Sequence, residues 1–374
     1  MEIPLLDLKA QYRSIKSEID QVLSKVVESQ YFILSGEVAS LEKEVSDYCD
    51  VPSAAGVASG TDALILALRA LGIGKGDAVI TTPFTFFATA EAVSILGARP
   101  FFVDIDPGTY NIDPDKVEEL LQNMDPGTRR TVKAIIPVHL YGQCADMARI
   151  MDIAKKYDLK VIEDSAQAIG ATYKGKKAAS FGDAGCLSFF PSKNLGGFGD
   201  GGMIVSPDAS VIEEVKMLRV HGSKEMYIHE EIGYNSRLDS LQAAILRIKL
   251  KKLDAWLDAR RSIAEKYNEA FAEMGIITPM VAEENTHTYH QYTIAVQDRD
   301  ELLEHLDKNG IAARVYYPVP LHLQPCYKCL EYSIGSFPVS EEKAEKVLSL
   351  PVYSELTGEQ IEYIIRTVKD FYNK

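Results

Sequence analysis

Cysteine, tryptophan and long apolar runs are scarce or missing in this chain of 374 residues. The five cysteines form an odd and scattered set, which argues against a disulfide framework and predicts reduced thiols. No segment approaches the roughly 20 consecutive apolar residues of a membrane span. Residues 1–14 lack the basic start and apolar centre of a secretory signal. We therefore expect a soluble protein of the cytoplasm with no membrane partner.

Positive charge is also in short supply. The chain has 40 Lys and Arg against 54 Asp and Glu, a formal net charge of -14 and a pI near 5.1. An acidic surface repels phosphate backbones, so we expect no nucleic-acid partner, although a local basic site for a small anionic ligand stays open. A hydrophobic fraction of 46% is ordinary for a globular protein, and this length suffices for two domains.

One cysteine pair has the spacing of two zinc ligands. Cys326 and Cys329 are separated by two residues, and His322 lies just upstream. A structural zinc ion takes four ligands, usually from two such pairs, and the sequence has no second pair. We therefore expect a surface loop here and no metal site.

Apolar periodicity predicts an α/β fold. Residues 8–26 place apolar side chains three and four positions apart, which predicts a first helix. From about residue 50, helices such as 59–72 alternate with short apolar strands such as 77–82. Short, nearly continuous apolar strands between helices are typical of a mainly parallel sheet that is covered on both faces.

The pattern changes in the C-terminal part of the chain. A long helix is predicted from Leu238 past Trp256, and it is followed by a strand, a helix, a second strand at 311–319 and a terminal helix. We assign residues 1–250, with the N-terminal helix, to a large α/β domain. Residues 251–374 then form a smaller α+β domain, within the usual size range.

The stretch FFPSKNLGGFGDGGMIVS, residues 189–206, has two interpretations. Gly197, Gly199 and Gly202 match the G-x-G-x-x-G fingerprint of a dinucleotide site, which would indicate a nicotinamide-dependent sugar oxidoreductase. In that fingerprint the glycines open a helix whose N-terminus faces the pyrophosphate. Here a strand follows instead. We therefore favour the second interpretation, in which the glycines turn the backbone through positive φ beside a reactive Lys193.

Lys193 follows an apolar strand and should lie near the strand end, where ligands bind in open α/β sheets. A partly desolvated lysine titrates lower than usual and can attack a carbonyl to form a Schiff base. Asp164 ends another apolar strand, and Gln167 follows three residues later. Alone, Asp164 could equally be a helix cap. Beside such a lysine, it suits the ring nitrogen of pyridoxal phosphate (PLP).

Two further stretches suit the phosphate of that cofactor. Gly60 and Thr61 open a predicted helix, which offers free backbone N–H groups, a hydroxyl and the positive end of a helix dipole. Ser188, on the strand that leads to Lys193, adds another hydroxyl. Each of these is more often an ordinary cap or strand hydroxyl, but the order of phosphate loop, acid and lysine indicates a PLP site.

Longer motifs match a known family. Residues 161–206, VIEDSAQAIGATYKGKKAASFGDAGCLSFFPSKNLGGFGDGGMIVS, resemble the signature region of the DegT/DnrJ/EryC1/StrS sugar-nucleotide aminotransferases. The likeness extends over almost the whole chain, through PLLDLKAQY, SGTDAL, TPFTFFATAEAV, PVHLYGQCADM, GYNSRLDSLQAAIL and GSFPVSEEKAEKVLSLP. The resemblance implies the fold-type I PLP-transferase architecture, with a large mainly parallel sheet domain and a smaller C-terminal domain. It also implies a homodimer with shared active sites.

The resemblance further implies roles for single residues at the cofactor. Lys193 corresponds to the lysine that forms the Schiff base with PLP and then shuttles protons, and Asp164 to the residue paired with the pyridine nitrogen. The other implied contacts are Gln167 beside the ring, Phe86 stacked on it, Gly60, Thr61 and Ser188 at the phosphate, and Asn235, which reaches the phosphate from the neighbouring subunit.

The reaction implied is transfer of an amino group from L-glutamate to C3 of a nucleotide-linked 3-ketosugar. Two substrates fit, a dTDP-3-keto-6-deoxyhexose and a UDP-2-acetamido-3-keto uronic acid, and the product would serve surface polysaccharide or glycoside synthesis. Family dehydratases carry histidine in place of the lysine, so Lys193 indicates transamination. The implied substrate contacts are Phe32, Ser192, Lys224, Arg237, Tyr316 and Tyr317.

Three of these substrate contacts are open to another interpretation. Phe32 lies where the sugar or base packs in relatives, but it could equally pack in the core. Tyr316 stands where relatives of this group carry histidine, which weakens any assignment of the exact hexose. Arg237 would suit a substrate carboxylate or pyrophosphate, but it could equally form a structural ion pair. A sugar-nucleotide-binding protein without catalysis stays as an alternative to the enzyme.

Overall fold

Helices and strands alternate along the chain in a computed structural model that describes residues 1–372. The α-helices are α1 (Leu8–Ser29), α2 (Gly36–Tyr48), α3 (Gly60–Ala70), α4 (Ala88–Ile95), α5 (Pro114–Asn123), α6 (Pro126–Thr131), α7 (Met147–Tyr157), α8 (Ala209–Leu218), α9 (Ser240–Leu250), α10 (Leu253–Ala272), α11 (Arg299–Lys308), α12 (Pro338–Lys346) and α13 (Gly358–Tyr372). The predicted first helix is confirmed as α1. None of the helices in the described part of the chain combines the length and apolar character that a membrane span requires.

Seven of the strands form one sheet, in the order β1-β9-β8-β5-β4-β2-β3. The strands of the chain are β1 (Ser53–Val57), β2 (Ala78–Thr81), β3 (Arg99–Phe102), β4 (Val132–Ile135), β5 (Lys160–Asp164), β6 (Thr172–Tyr173), β7 (Lys176–Lys177), β8 (Ala184–Ser188), β9 (Gly202–Ser206), β10 (Ser223–Glu225), β11 (Ile228–His229), β12 (Tyr292–Ala295) and β13 (Val347–Leu350). The pairs β2–β3, β2–β4, β4–β5 and β5–β8 are parallel, whereas β9 runs antiparallel to β1 and β8. The mainly parallel sheet is thus confirmed.

Strand β9 has three consecutive large apolar residues, and the packing of the sheet explains them. Ile204 packs on one face of the sheet in a cluster with Leu66 of α3. Its neighbours Met203 and Val205 belong to a different cluster, which includes Leu246 of α9. Alternate residues of a strand face opposite sides of a sheet, so helices on both faces bury every side chain of the strand.

A separate core surrounds the antiparallel pair β12–β13 near the C-terminus. It takes apolar side chains from α10, α11 and α13, and also Ile3, which precedes α1. The division into residues 1–250 and 251–374 stays a prediction, and the last two residues of the second range lie outside the described part of the chain.

Two C-terminal elements differ from the sequence prediction. The long helix is two helices, α9 and α10, separated at residues 251–252. The prediction of a strand at 311–319 is wrong. This segment makes only two isolated bridges, Ile311 with Ile3 and Arg314 with Ser349. Pro318 and Pro320 have no N–H to donate, so a strand ladder cannot continue through them.

Candidate active site

A cavity of about 510 Å³ lies where β5 and β8 end and α3 begins. The carboxyl ends of strands in an open α/β sheet are a common place for ligands. Ten residues predicted from the sequence line this cavity: Gly60, Thr61, Phe86, Asp164, Gln167, Ser188, Ser192, Lys193, Tyr316 and Tyr317. The tertiary structure therefore brings together side chains that are spread over more than half of the sequence.

Lys193 lies in a turn that follows β8. Its backbone N–H donates to the Phe190 carbonyl at 2.8 Å, and the Gly197 N–H donates to the Phe189 carbonyl at 2.8 Å. The amine has no hydrogen-bond partner within residues 1–372, and burial lowers the pKa of Lys193 to about 8, partly opposed by the charge of Asp164. A substantial share of the amine is therefore neutral near physiological pH and able to attack a carbonyl.

Asp164 is the last residue of β5 and is only 6% exposed. One carboxylate oxygen accepts a hydrogen bond from Thr89 Oγ1 at 2.7 Å, and the other accepts one from the Ala166 N–H at 3.2 Å. A turn rather than an α-helix follows, so the helix-cap alternative is excluded. A buried carboxylate held by two donors beside the cavity suits a cationic ring nitrogen.

Gln167 is held from both ends of its amide. Its Oε1 accepts a hydrogen bond from the Tyr141 N–H at 2.7 Å, and its Nε2 donates to the Tyr317 hydroxyl at 3.0 Å. The Tyr141 hydroxyl in turn donates to the carbonyl oxygen of Tyr316. The ring of Phe86 is 57% exposed, with its centroid 6.2 Å from that of Tyr317. These contacts join the aromatic side chains and the amide into one wall of the cavity.

The start of α3 and the end of β8 form a cradle for an anion. Ser59 caps α3 by accepting a hydrogen bond from the Asp62 N–H at 3.0 Å. The N–H groups of Gly60 and Thr61 have no backbone acceptor in the described residues. A Cβ on Gly60 would lie 2.7 Å from Ser188 Cβ, so only glycine keeps this space open. Free N–H groups at a helix N-terminus favour a phosphate.

The glycines of residues 197–202 act differently from the prediction. None of Gly197, Gly199 and Gly202 has a positive φ, so the expected turn through positive φ is wrong. A Cβ on Gly197 would lie 2.7 Å from Gln242 Oε1, and one on Gly202 would lie 2.3 Å from the Ser59 carbonyl oxygen. These glycines let α9 and the start of α3 approach the backbone closely. They lead into β9, not a helix, so the dinucleotide fingerprint lacks its structural context.

Sequence reasoning missed Thr89 and His290. His290 lines the cavity, is 7% exposed, and has a buried Nδ1 with no hydrogen-bond partner among residues 1–372. Burial and the positive charges of Lys193 and Arg260 hold the pKa of His290 well below its usual value, so its imidazole is neutral. Thr89 lies in the motif TPFTFFATAEAV and His290 in none of the quoted motifs, but in both cases only the tertiary fold shows that the side chain meets the site.

Four predicted contacts do not line this cavity in the single chain: Phe32, Lys224, Asn235 and Arg237. Lys224 is exposed and forms an ion pair with Glu230 at 2.9 Å. Asn235 is also exposed, whereas Phe32 and Arg237 are half-buried. Any contact of these four with a cofactor or sugar in this cavity would have to come from another subunit or from a movement of the chain.

The cysteine pair lies away from this cavity. Cys326 and Cys329 are exposed on the short 3-10 helix Pro325–Leu330, and His322 Nε2 lies 3.0 Å from Glu341 Oε1. Within residues 1–372, no group of three or more His, Cys, Asp or Glu side chains is arranged to hold a metal ion.

The features of this cavity fit PLP. It has a lysine amine without a partner, a buried carboxylate, and an open cradle that a side chain on Gly60 would fill. A lysine, an acid and an anion cradle at the carboxyl edge of a mainly parallel sheet together define a pyridoxal phosphate-dependent transferase.

Comparison with known proteins gives the family. The chain belongs to the DegT/DnrJ/EryC1/StrS aminotransferase family, whose model matches residues 13–369. It is 49% identical to the pleiotropic regulatory protein of Geobacillus stearothermophilus, over 100% of this chain and 99% of that one. It is 46% identical to the UDP-N-acetyl-3-dehydro-alpha-D-glucosamine 3-aminotransferase of Acidithiobacillus ferrooxidans, over 98% of this chain and 97% of that one.

Solved structures agree with this assignment. The crystal structure of DesV from S. venezuelae, in complex with a ketimine intermediate, matches with a TM-score of 0.96 and 41% identity, over 100% of this chain and 99% of that one. NtdA from Bacillus subtilis, with its cofactor PMP bound, matches with a TM-score of 0.92 and 32% identity, over 100% of this chain and 86% of that one. The fold-type I architecture is thus confirmed, and the chain is a PLP-dependent aminotransferase.

Proposed function

We propose that this enzyme transfers the amino group of L-glutamate to C3 of a nucleotide-linked 3-ketosugar and so makes a 3-amino sugar. The observation that carries the proposal is the Lys193 amine, which has no hydrogen-bond partner in the described part of the chain and shares a cavity with Asp164 and the cradle at Gly60. The choice of C3 is supported by the 46% identity to an enzyme named as a 3-aminotransferase of a UDP-linked sugar. Such a product would enter surface polysaccharide or glycoside synthesis.

The cofactor-binding residues of the cavity have proposed roles. When bound, PLP supplies an electron sink for breaking a bond at the carbon that bears the amino group. Asp164 keeps a proton on the ring nitrogen, and the N–H groups of Gly60 and Thr61, with the Ser188 hydroxyl, hold the phosphate. Lys193 binds the cofactor covalently at rest and, once released, carries a proton to and from the reacting carbon. Its lowered pKa suits this task, because an effective general base titrates near the working pH.

The aromatic wall supports the sugar site. Ser192, Tyr316 and Tyr317 line the same cavity as Lys193, and we propose that they contact the sugar. Phe86 would stack on the cofactor ring, and Gln167 would lie beside it and keep the Tyr317 hydroxyl oriented. Tyr316 in the place of a histidine leaves both sugars open, the dTDP-linked 6-deoxyhexose and the UDP-linked uronic acid.

We further propose a homodimer in which each cavity is completed by the partner subunit. The four predicted contacts outside the cavity support it, since Asn235 and Lys224 are exposed on the surface, where a second chain could meet them. In this arrangement Asn235 would contact the cofactor phosphate of the partner, while Phe32, Lys224 and Arg237 would contact the nucleotide or sugar. We place the enzyme in the cytoplasm, where its five free thiols are compatible with a reducing compartment.

An absorbance experiment tests the aminotransferase proposal. The purified protein with PLP should show a visible band that bleaches when L-glutamate is added, and Lys193→Ala should lose the glutamate response. Turnover should then appear with one of the two nucleotide-linked 3-ketosugars and should give a 3-amino product. A protein that shows no visible band, even with added PLP, would contradict the proposal.

Subunit complementation tests the shared site. Lys193→Ala and Asn235→Asp inactivate different parts of one site if Asn235 acts across the interface. An equal mixture of the two variants should then recover about a quarter of the wild-type activity. Half of the dimers contain one subunit of each variant, and one of the two sites in each such dimer is intact. No recovery from a mixture that has exchanged subunits would show that both residues serve the same chain's cavity.

A further inference from the structure

A lysine on α9 is buried although it carries a charge. Lys249 is 1% exposed, and its amine donates a hydrogen bond to the carbonyl oxygen of Gly196. The amine also lies over two aromatic rings, 5.6 Å from the centroid of Phe198 and 5.9 Å from that of Trp256. Burial lowers the pKa of Lys249 to about 8, and the charge of Glu355 opposes this only in part. The ammonium is thus a buried donor with one oxygen acceptor in the described residues.

Stability alone does not explain such a group. A buried charge without a close counter-ion costs free energy, and apolar residues of similar volume often replace buried charges without loss of stability. Lys251, two residues further along, is exposed, as a lysine ordinarily is. The position of Lys249 therefore points to something that its amine holds.

The segment that it holds carries Lys193. Gly196 is three residues after Lys193, in the turn between β8 and β9. A second side chain of α9 holds the same turn, since Gln242 Oε1 accepts a hydrogen bond from the Phe198 N–H at 2.7 Å. Gln242 and Lys249 are two helical turns apart and so share one face of α9. That face fixes the turn at two points on the C-terminal side of Lys193.

We propose that Lys249 is a positioning residue, which holds the turn so that the Lys193 amine faces the reacting carbon. The proposal rests on the proposed role of Lys193 in proton transfer. A loose turn would still permit the substrates to bind, because the proposed phosphate cradle and the proposed sugar contacts Ser192, Tyr316 and Tyr317 lie outside residues 194–199. It would reduce the fraction of time in which the amine is correctly placed, and small displacements of a proton-transfer group are costly in rate.

Two variants of Lys249 and one matched control test the proposal. Lys249→Met nearly keeps the volume and removes the donor, and Lys249→Gln keeps an N–H donor that ends one bond short of the lysine amine. Lys251→Met is the control, since it removes an exposed lysine from the same helix end. We expect kcat to fall about tenfold or more in both Lys249 variants, with KM for L-glutamate within about twofold of the wild type.

Hydrogen exchange gives a readout that does not depend on turnover. In protein without cofactor, the amides of residues 194–199 should exchange about tenfold faster in Lys249→Met, while exchange in α9 and the thermal midpoint stay close to those of the control. Unchanged exchange in 194–199, or a kcat within twofold of the wild type in either Lys249 variant, would overturn the proposal. If Lys249→Met does not fold, Lys249→Gln alone decides by the same two measurements. A wild type without glutamate-dependent turnover would count against the proposed function instead, and the exchange result would still test the role of Lys249 in holding the turn.

Discussion

Adding one methyl group at Gly60 should separate cofactor binding from folding. The Cβ of Gly60→Ala would lie 2.7 Å from Ser188 Cβ and 3.0 Å from Ser188 Oγ, well inside normal contact distance. Either the first turn of α3 or the end of β8 must then move. Both movements disturb the cradle in which the N–H groups of Gly60 and Thr61 and the Ser188 hydroxyl meet.

The expected magnitudes follow from this overlap. Overpacking of this kind costs about 1–3 kcal/mol, and alanine within a helix regains roughly 0.5–1 kcal/mol relative to glycine. The unfolding free energy should therefore fall by no more than about 2.5 kcal/mol. A hydrogen bond to a charged group contributes about 1.5–3 kcal/mol. Losing one phosphate contact should raise the dissociation constant of PLP by about ten- to a hundredfold, since about 1.4 kcal/mol is tenfold.

Gly36→Ala is the matched control. Gly36 is the first residue of α2, after the capping Ser35, just as Gly60 is the first residue of α3 after Ser59. A Cβ on Gly36 would have no atom within 4 Å. The assay is titration of the apoprotein with PLP, followed by absorbance, with thermal unfolding of the same samples. If Gly60→Ala bound PLP as tightly as Gly36→Ala, the cradle would not be the phosphate site.

Three further results are expected. The rate at which the apoprotein captures PLP should rise between about pH 7 and 9 and then level off, because the pKa of Lys193 is lowered to about 8 and only the neutral amine attacks. Stopped-flow absorbance measures this rate. A rate that does not change with pH would contradict the prediction. Tyr317→Phe should lower the rate with the ketosugar more than the rate with L-glutamate, since it removes the hydroxyl that the amide of Gln167 orients. Single-turnover measurements of the two half-reactions test this. Equal losses in both would exclude a sugar contact. Glu163→Ala should lower the unfolding free energy by about 3–5 kcal/mol. This fully buried carboxylate accepts a hydrogen bond from His139 at 2.8 Å and others from three backbone N–H groups. A loss below about 1 kcal/mol in denaturant unfolding would show that these contacts do not stabilise the fold.

Short contiguous motifs account for the parts of the site that could be predicted. Lys193, Asp164 and Gln167 each belong to a stretch in which an apolar strand ends and polar residues follow, and a parallel sheet brings such strand ends to one edge. Gly60 and Thr61 were recognisable because a capped helix start is also a local pattern. Dependence on local motifs also explains one mistake. The glycines after Lys193 suggested a turn through positive φ, but they are needed because α9 and the start of α3 pack closely against them.

Thr89, His290 and Lys249 could not have been predicted in the same way. Thr89 matters because α4 places its hydroxyl 2.7 Å from Asp164, and Lys249 because α9 crosses behind the turn that carries Lys193. Thr89 lies three residues after Phe86 in a motif of the family, but nothing in that motif shows that its hydroxyl reaches Asp164, and nothing near Lys249 distinguishes it from an ordinary helical lysine. The proposed contacts of Asn235 with a second subunit are still more remote from the sequence, and they stay a prediction.

The sequence by itself determined the alternation of helices and apolar strands, the mainly parallel sheet and the chemistry of the lysine and the acid. These depend on the order of residues over short ranges, where backbone preferences and apolar periodicity act. Only the tertiary structure decided which polar groups are buried, which donors orient them and how far the lysine pKa falls. Burial and charge interactions depend on distances between residues that are far apart in the chain, and those distances exist only once the sheet and its helices are packed.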